Sequence, residues 1–315
     1  MEHDHDEGLS CASEMHVPPT QPLPEPTVAE QQREERRRAS GLMNSTFDSH
    51  IHLFPQQIFE SMWRWFDAHA WQIAFRGTAE ETVQHLHEHG IQQMAALVFA
   101  HKPGVARWLN RFLADQVRAQ TGIVGVGTVM PSEPEAPEIV REAIVGLGLK
   151  GIKLHCHVQR LAIDDPRVLE VLGICQDLQV PAVVHAGREP ASQAYGIDCH
   201  TICGVQRTRR VLELLPELKL VIPHVGADEY DQYLNLTREF PNLWLDTAMA
   251  CAQYFELSPE WSQLEACADR VLFGTDFPIV PYAIGREATV LARKIQDDAA
   301  FAKIMRENAL KLWQP

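Results

Sequence analysis

Short apolar runs rich in β-branched residues recur along the chain from position 46 onward, and segments of helical periodicity separate them. The runs are TFDSHIHLF (46–54), IQQMAALVFA (91–100), GIVGVGTVM (122–130), LKGIKLHCH (149–157), PAVVHAG (181–187), LKLVIPHVG (218–226), NLWLDTAMA (242–250) and RVLFGTDFP (270–278). This pattern predicts eight strands. The segments between them, such as TAEETVQHLHEHG and PRVLEVLGICQDLQ, are long enough to form crossover helices.

Regular alternation of strands and helices predicts an α/β fold with a parallel sheet. Eight such units over about 250 residues are what a closed (β/α)8 TIM barrel requires. An open doubly wound sheet would instead have a glycine-rich phosphate turn after its first strand, whereas this first strand ends in His-Leu-Phe. We therefore expect a TIM barrel.

Residues 1–44 differ in composition from the rest of the chain. The stretch VPPTQPLPEP has five prolines in ten residues, and the charged run QQREERRR follows it. Such a segment has too little apolar surface to offset the entropy lost on ordering. We expect a flexible N-terminal extension over 1–44, a single domain over 45–315, and no functional loss if the chain began at Met43.

Composition and charge narrow the class of protein. The 315 residues are 45% hydrophobic, and 28 basic against 42 acidic side chains give a formal net charge of −14. This charge argues against a nucleic-acid partner. No apolar run approaches the ~18 residues of a membrane span, and the acidic first residues do not resemble a signal peptide. Seven cysteines without a CxxC pair suit a reducing compartment, so we expect a cytoplasmic protein.

Polar side chains cluster at the predicted carboxyl ends of the strands, where barrel enzymes place their chemistry. They are His50, His52, Lys153, His155, His185, His224, Asp246 and Asp276. Each alone has an ordinary explanation, such as a hydrogen-bonded core histidine or a capping aspartate. Together at one mouth they would be costly to bury unless a cation bound them. Imidazole and carboxylate ligands suit zinc, manganese or iron, with a position left for water.

The motifs FDSHIHLF, GIKLHCH, VVHAG, IPHVGA and RVLFGTDFP, in this order, resemble those of the amidohydrolase superfamily of metal-dependent TIM-barrel hydrolases. The similarity covers about residues 46–312. It is strongest to the amidohydrolase-related branch that contains aminocarboxymuconate semialdehyde decarboxylase and related nonoxidative decarboxylases.

This resemblance implies a set of roles for the strand-end residues. His50, His52, His185 and Asp276 would bind one divalent ion, most often zinc in this branch. Asp276 would also transfer a proton, and His224 would orient the metal-activated water or stabilise charge on the substrate oxygen. Binuclear members carry a carbamylated lysine on the strand that holds Lys153. We expect Lys153 to be unmodified and a second metal to be absent.

Candidate substrate-binding residues are Lys153, His155, Arg188, Tyr195 and His200. The last three lie in a long polar segment, 187–204, after the fifth strand. Arg188 could bind a carboxylate, or it could pair with Glu189 or a neighbouring loop. The tryptophan-rich segment 62–75 could wall the pocket or cover an oligomer interface.

Three functions are compatible with these residues. We expect the first, a metal-dependent hydrolase that uses metal-activated water on a small polar amide, lactone or similar substrate. The alternative is a nonoxidative decarboxylase of a small carboxylated substrate, and a third is a metal-binding barrel without turnover. We also expect a homodimer formed through outer helices, as barrels of this kind often pair in this way.

Overall fold

The computed structural model describes residues 21–44, 46–256 and 258–313. Its centre is a parallel eight-stranded sheet in the order β1 to β8. The strands are β1 (Phe47–His52), β2 (Gln93–Leu97), β3 (Ile123–Thr128), β4 (Ile152–His155), β5 (Ala182–His185), β6 (Leu220–Ile222), β7 (Leu243–Asp246) and β8 (Val271–Leu272). The chain around β8 returns to β1, because the amide of Ser49 donates to the carbonyl of Phe273 at 2.7 Å and that of His52 to Phe277 at 2.8 Å. The predicted TIM barrel is confirmed.

Helices follow the strands and surround the barrel. They are α1 (Val28–Ala39), α2 (Gln56–His69), α3 (Ala79–Glu88), α4 (Ala106–Ala119), α5 (Ala136–Arg141), α6 (Cys156–Gln159), α7 (Pro166–Asp177), α8 (Cys199–Ile202), α9 (Val205–Leu214), α10 (Tyr230–Glu239), α11 (Trp261–Ala266), α12 (Arg286–Lys294), α13 (Asp298–Ala302) and α14 (Asn308–Trp313). π-Helical turns extend α5 over Glu142–Gly146 and α13 over Lys303–Glu307. Among the helices of the described residues, none combines the length and apolar character needed to cross a bilayer.

The core has an outer and an inner part. The outer part packs the strands against the helices, whereas the inner part joins strand residues such as Val183 and Val221 to Trp313 of α14. Side chains alternate between the two faces of a strand, so Val183 and His185 point to the same interior. The barrel interior is therefore apolar below the polar ends of the strands.

Within the N-terminal extension over 1–44, which we expect to be flexible, residues 28–39 are ordered against the barrel. Residues 28–39 form α1, which packs along α12. Arg37 of α1 is fully buried, donates to the carbonyls of Ala292 at 3.0 Å and Ile295 at 2.9 Å, and lies over the ring of Phe301. The guanidinium and its aliphatic stem thus supply the packing that the composition did not suggest. Residues 1–20 lie outside the described residues.

Candidate active site

The carboxyl ends of the strands border a pocket of about 1280 Å³. Its polar lining includes His50, His52, Lys153, His155, His185, His224 and Asp276. These side chains come from three strands and the segments that follow two others, and the barrel brings them to one mouth.

His50, His52 and Asp276 form a group with three converging atoms. The Oδ1 atom of Asp276 lies 2.9 Å from Nε2 of His52 and 3.3 Å from Nε2 of His50. The two Nε2 atoms are 3.3 Å apart. One ligand atom from each residue lies within 4.8 Å of the other two, which is close enough to share a metal ion.

The hydrogen bonds of the two histidines show which ring nitrogens carry protons. Nδ1 of His50 donates to Oδ2 of Asp246 at 2.8 Å, and Nδ1 of His52 donates to the carbonyl of Leu97 at 3.1 Å. Burial and the nearby Lys153 hold the pKa of His50 well below its usual value. In neutral imidazoles this leaves both Nε2 atoms as electron-pair donors.

Three electron-pair donors therefore face one another, the two Nε2 atoms and the carboxylate of Asp276. Burial raises the pKa of Asp276, whereas positive charge and hydrogen bonds from His50 and His52 lower it to about 2, so an adjacent positive charge keeps the carboxyl group ionised. Without a proton between them such atoms repel, and a divalent cation turns the repulsion into coordination. The residues present fit the divalent metal that the sequence predicts.

The backbone around this group is held in an uncommon conformation. Asp276 has a φ of 63°, and His224 has a φ of 59°. The amide of Asp276 donates to the carbonyl of His50 at 2.8 Å, which fixes the loop after β8 against β1. Left-handed conformations at non-glycine residues cost energy and concentrate at functional sites.

Asp246 orients His50 and the backbone of His224, a role that the sequence analysis did not assign to it. Its Oδ2 accepts from His50, and its Oδ1 accepts from the amides of His224 at 3.0 Å and Ala248 at 3.1 Å. One buried carboxylate thus fixes both the proton position on His50 and the backbone that carries His224. Its position at the end of β7 was the available signal.

Replacing Asp246 with asparagine is expected to weaken metal binding about 10- to 100-fold, because partners of ligating histidines fix the ring and raise its basicity. An asparagine whose amide nitrogen faces His50 would also favour the wrong tautomer. Titration of chelator-treated protein with Mn²⁺ by calorimetry measures the effect. An affinity equal to that of wild type would remove Asp246 from the metal centre.

His224 and His185 form a second pair of facing nitrogens. Nδ1 of His224 donates to the carbonyl of Ala248 at 2.9 Å, and Nε2 of His185 donates to that of Glu189 at 3.2 Å. The remaining nitrogens, Nε2 of His224 and Nδ1 of His185, lie 3.2 Å apart. The expected four-ligand set is therefore only partly assembled. His185 lies beside His224 and outside the group formed by His50, His52 and Asp276.

His185 also forms a compact group with His155 and His157. The rings of His155 and His185 are stacked, with centroids 4.1 Å apart and planes inclined by 8°. Lone pairs on imidazole nitrogens lie in the ring plane, so nearly parallel rings direct them into two separate planes. Although its nitrogens are close, this group does not fit a single shared ion.

Lys153 brings a positive charge into the pocket. Its side chain is 1% exposed and borders the pocket, and among the described residues it has no ion pair. Burial lowers its pKa to about 8, opposed by the carboxylates of Asp246 and Asp276. The ammonium is thus placed to bind an anionic group of a substrate or to release a proton near neutral pH.

The predicted substrate-binding residues of the segment 187–204 occupy different places. Tyr195 lines the pocket, and its ring centroid lies 5.3 Å from that of Trp65. The Arg188 guanidinium instead binds the carboxylate of Asp228 at 3.0 and 2.7 Å, so the geometry favours the pairing alternative over substrate binding. His200 lies 3.5 Å from Glu189 and is absent from the described lining of the pocket.

Aromatic side chains form much of the remaining pocket wall. Among them are Trp65, Phe66, Trp71, Phe99, Tyr195, Tyr254 and Phe255. The tryptophan-rich segment therefore contributes to the pocket wall, one of the two alternatives left open by its sequence. Such a wall suits a flat apolar ring better than a highly hydrated substrate.

Comparison with known proteins agrees with this architecture. The profile of a family described as Amidohydrolase matches residues 47–314. None of the curated proteins matches the chain.

Solved structures of decarboxylases share the fold. One is 5-carboxyvanillate decarboxylase from Sphingomonas paucimobilis, with 16% identity over 85% of this chain and 98% of that chain and a TM-score of 0.62. Another is 2,6-dihydroxybenzoate decarboxylase from Rhizobium, with 17% identity, 85% and 98% coverage, and a TM-score of 0.61. A third, 5-carboxyvanillate decarboxylase from Novosphingobium aromaticivorans, was solved with bound manganese and 3-methoxy-4-hydroxy-5-nitrobenzoic acid and has 15% identity, 86% and 97% coverage, and a TM-score of 0.61. At these identities the likeness concerns the fold.

Proposed function

The chain belongs to the amidohydrolase family, and from this premise we propose that it is a metal-dependent decarboxylase of small hydroxylated aromatic carboxylates. The observation that carries the proposal is the buried Lys153, without an ion pair among the described residues, in a pocket walled by aromatic rings. An aromatic carboxylate satisfies both features, because its ring covers the apolar wall and its anion compensates the ammonium. The decarboxylases with the same fold support this substrate class.

We assign the metal to His50, His52 and Asp276. His185, the fourth ligand that the resemblance implies, lies beside His224. Two or three imidazoles with one carboxylate suit zinc or manganese, and one structural neighbour was solved with manganese. When bound, the ion would act as a Lewis acid that orients and polarises substrate oxygens.

The protein side chains would manage the proton that decarboxylation requires. A carbon–carbon bond breaks, carbon dioxide leaves, and a proton replaces the carboxylate on the ring carbon. With a pKa of about 8, Lys153 holds a proton at neutral pH and releases it more readily than an ordinary lysine. We assign it the delivery of this proton. Asp276, ionised in the site, would accept a proton from a substrate hydroxyl.

Hydrolysis is the second candidate function, and the ionised Asp276 beside the histidines favours it. In that reaction the carboxylate would accept a proton from the attacking water and pass it to the leaving group. The amide or lactone group attacked in hydrolysis carries no charge of its own, so hydrolysis does not by itself account for the buried ammonium of Lys153. This difference gives decarboxylation the stronger support.

Incubation of manganese- or zinc-loaded protein with 2,6-dihydroxybenzoate and 5-carboxyvanillate is expected to release carbon dioxide. Run in D₂O, the reaction should place one deuterium on the ring carbon that loses the carboxylate. Chelator-treated protein is the control. Turnover of lactones or amides together with no carbon dioxide release from the carboxylates would favour the hydrolase instead.

The predictions of a small-molecule substrate without nucleic-acid or membrane partners, of a homodimer and of a cytoplasmic location stay predictions. Sedimentation of the purified protein tests the predicted homodimer. The expected mass of a dimer is twice the 35.6 kDa of the chain.

A further inference from the structure

The segment that precedes α1 reaches the pocket. Gln21 is part of the pocket lining, although it lies 29 residues before His50 in the sequence. Helix α1 fixes this segment from its other end, since Glu30 pairs with Lys294 at 2.6 Å and Glu34 with Arg293 at 2.7 Å. With the buried Arg37, these contacts attach α1 to the last turn of α12 and the residue that follows it.

Arg286, the first residue of α12, connects this segment to a pocket loop. Its guanidinium donates to the carbonyl of Gln21 at 2.6 Å. It also donates to the carbonyls of Ala252 at 2.7 Å and Gln253 at 2.8 Å, and it lies over the ring of Tyr254, 5.2 Å from the centroid. One planar group thus ties the N-terminal segment to the chain between β7 and α11.

The loop between β7 and α11 supplies part of the pocket wall. Met249, Tyr254 and Phe255 of this loop all border the pocket. The loop has little regular secondary structure, and Met249 and Gln253 adopt left-handed φ values of 57° and 49°. Its conformation therefore depends on contacts from outside the loop, and Arg286 provides several of them.

We propose that residues 21–39 are a substrate-selectivity element of the pocket, in which α1 anchors the segment and Arg286 is the positioning residue that couples it to the loop between β7 and α11. The element preorganises the aromatic wall contributed by Tyr254 and Phe255. It acts on the part of a ligand that contacts this wall and leaves the metal-binding part unaffected. This inference rests on the proposed function only for the choice of ligand.

Two variants separate this role from general stability. Deletion of residues 1–26 removes Gln21 but keeps α1 together with its Thr27–Glu30 capping box. Arg286→Gln removes the coupling and keeps the full chain. Arg209→Gln is the matched control, because Arg209 pairs with Glu239 at 2.7 Å between α9 and α10, away from residues 21–39 and from the described pocket lining.

The probes are salicylate and 4-phenylsalicylate, titrated into manganese-loaded protein by calorimetry. In both variants we expect affinity for the longer ligand to fall about tenfold relative to salicylate, because one lost apolar contact region has effects of this size. The control should keep the wild-type ratio. The inference would be overturned if, in both variants, the ratio of the affinity for 4-phenylsalicylate to that for salicylate stayed within about twofold of the wild-type ratio.

Hydrogen exchange provides a readout that needs no ligand. Amides of residues 247–256 should exchange faster in both variants, whereas those of β5 should not change. If neither probe binds to wild-type protein, the proposed substrate class fails, and the exchange result alone decides the inference. Unchanged exchange in residues 247–256 would then overturn it.

Discussion

Replacement of Asp276 with asparagine is expected to lower the turnover number by about 10³-fold or more, the scale of a lost acid–base group. Asparagine keeps the shape of the side chain but removes the negative charge that faces Nε2 of His50 and of His52. It also removes a carboxylate whose pKa of about 2 keeps it ionised at neutral pH. Both the affinity for a divalent ion and the capacity to accept a proton should therefore fall.

The fold should survive this change. The amide of Asp276, which donates to the carbonyl of His50, belongs to the backbone and is kept in the variant. Turnover, bound metal and thermal midpoint are measured together on the variant and on Asp228→Asn, which alters the ion pair with Arg188. If the Asp276→Asn variant retained more than about a tenth of wild-type turnover, this would contradict the role of Asp276 in proton transfer. Loss of turnover with full metal content would assign the residue to proton transfer alone.

The barrel was predictable because its pattern is repeated. Each of the eight apolar runs contains one strand of the structure, and the periodicity of two places His50 and His52 on one face. The pairing of these two with Asp276 follows from topology, since β8 returns to β1. Local pattern and global fold agree in this part of the chain.

The position of His185 was not predictable in the same way. The sequence places it at the end of β5, but the direction of its ring depends on the carbonyl of Glu189, four residues later in an irregular segment. Similarly, Arg188 pairs with Asp228, which lies 40 positions later in the sequence. Contacts between loops have no periodic signal, and they decide which polar residues reach the substrate.

The sequence contains a motif that predicts the start of the N-terminal helix, although the composition of the segment predicts flexibility. Thr27 and Glu30 form a capping box, and the motif T-x-x-E is visible in the sequence before the charged run. The prolines and charges nevertheless predicted a flexible segment. What the sequence could not reveal is that the end of α12, the residue after it and α13 offer the carbonyls of Ala292 and Ile295 and the carboxylate of Asp298 to Arg37.

Replacement of Lys153 with methionine is expected to stabilise the protein and to inactivate it. Lys153 has a pKa of about 8 in the folded protein and an ordinary value of 10.5. Below about pH 8 the folded state therefore carries the cost of a buried ammonium, which Asp246 and Asp276 offset only in part. Methionine has a similar volume and no charge, and replacing buried charges with apolar groups stabilises proteins by about 1–4 kcal/mol.

The pH dependence of the stability gain distinguishes removal of the buried charge from improved packing. Between pH 8 and 10.5 the unfolded chain binds the lysine proton more tightly than the folded protein does, so wild-type stability should rise through this window. The advantage of Lys153→Met should therefore be largest near neutral pH and should shrink towards pH 10.5. Urea unfolding of chelator-treated protein at several pH values measures it, with the exposed Lys150→Met as the control.

Activity should change in the opposite direction. If Lys153 delivers the proton to the substrate carbon, Lys153→Met should lose about 10²–10⁴-fold in decarboxylation, the range for general acid catalysis. A variant that is more stable and still active would show that the buried ammonium is neither the proton donor nor the partner of a substrate carboxylate. A less stable variant would show that Lys153 has a counter-charge in the folded protein that offsets its burial. Asp246 and Asp276 offset the cost of the buried charge only in part, and Lys153 has no ion pair among the described residues, so a role in the chemistry would explain why the charge is kept.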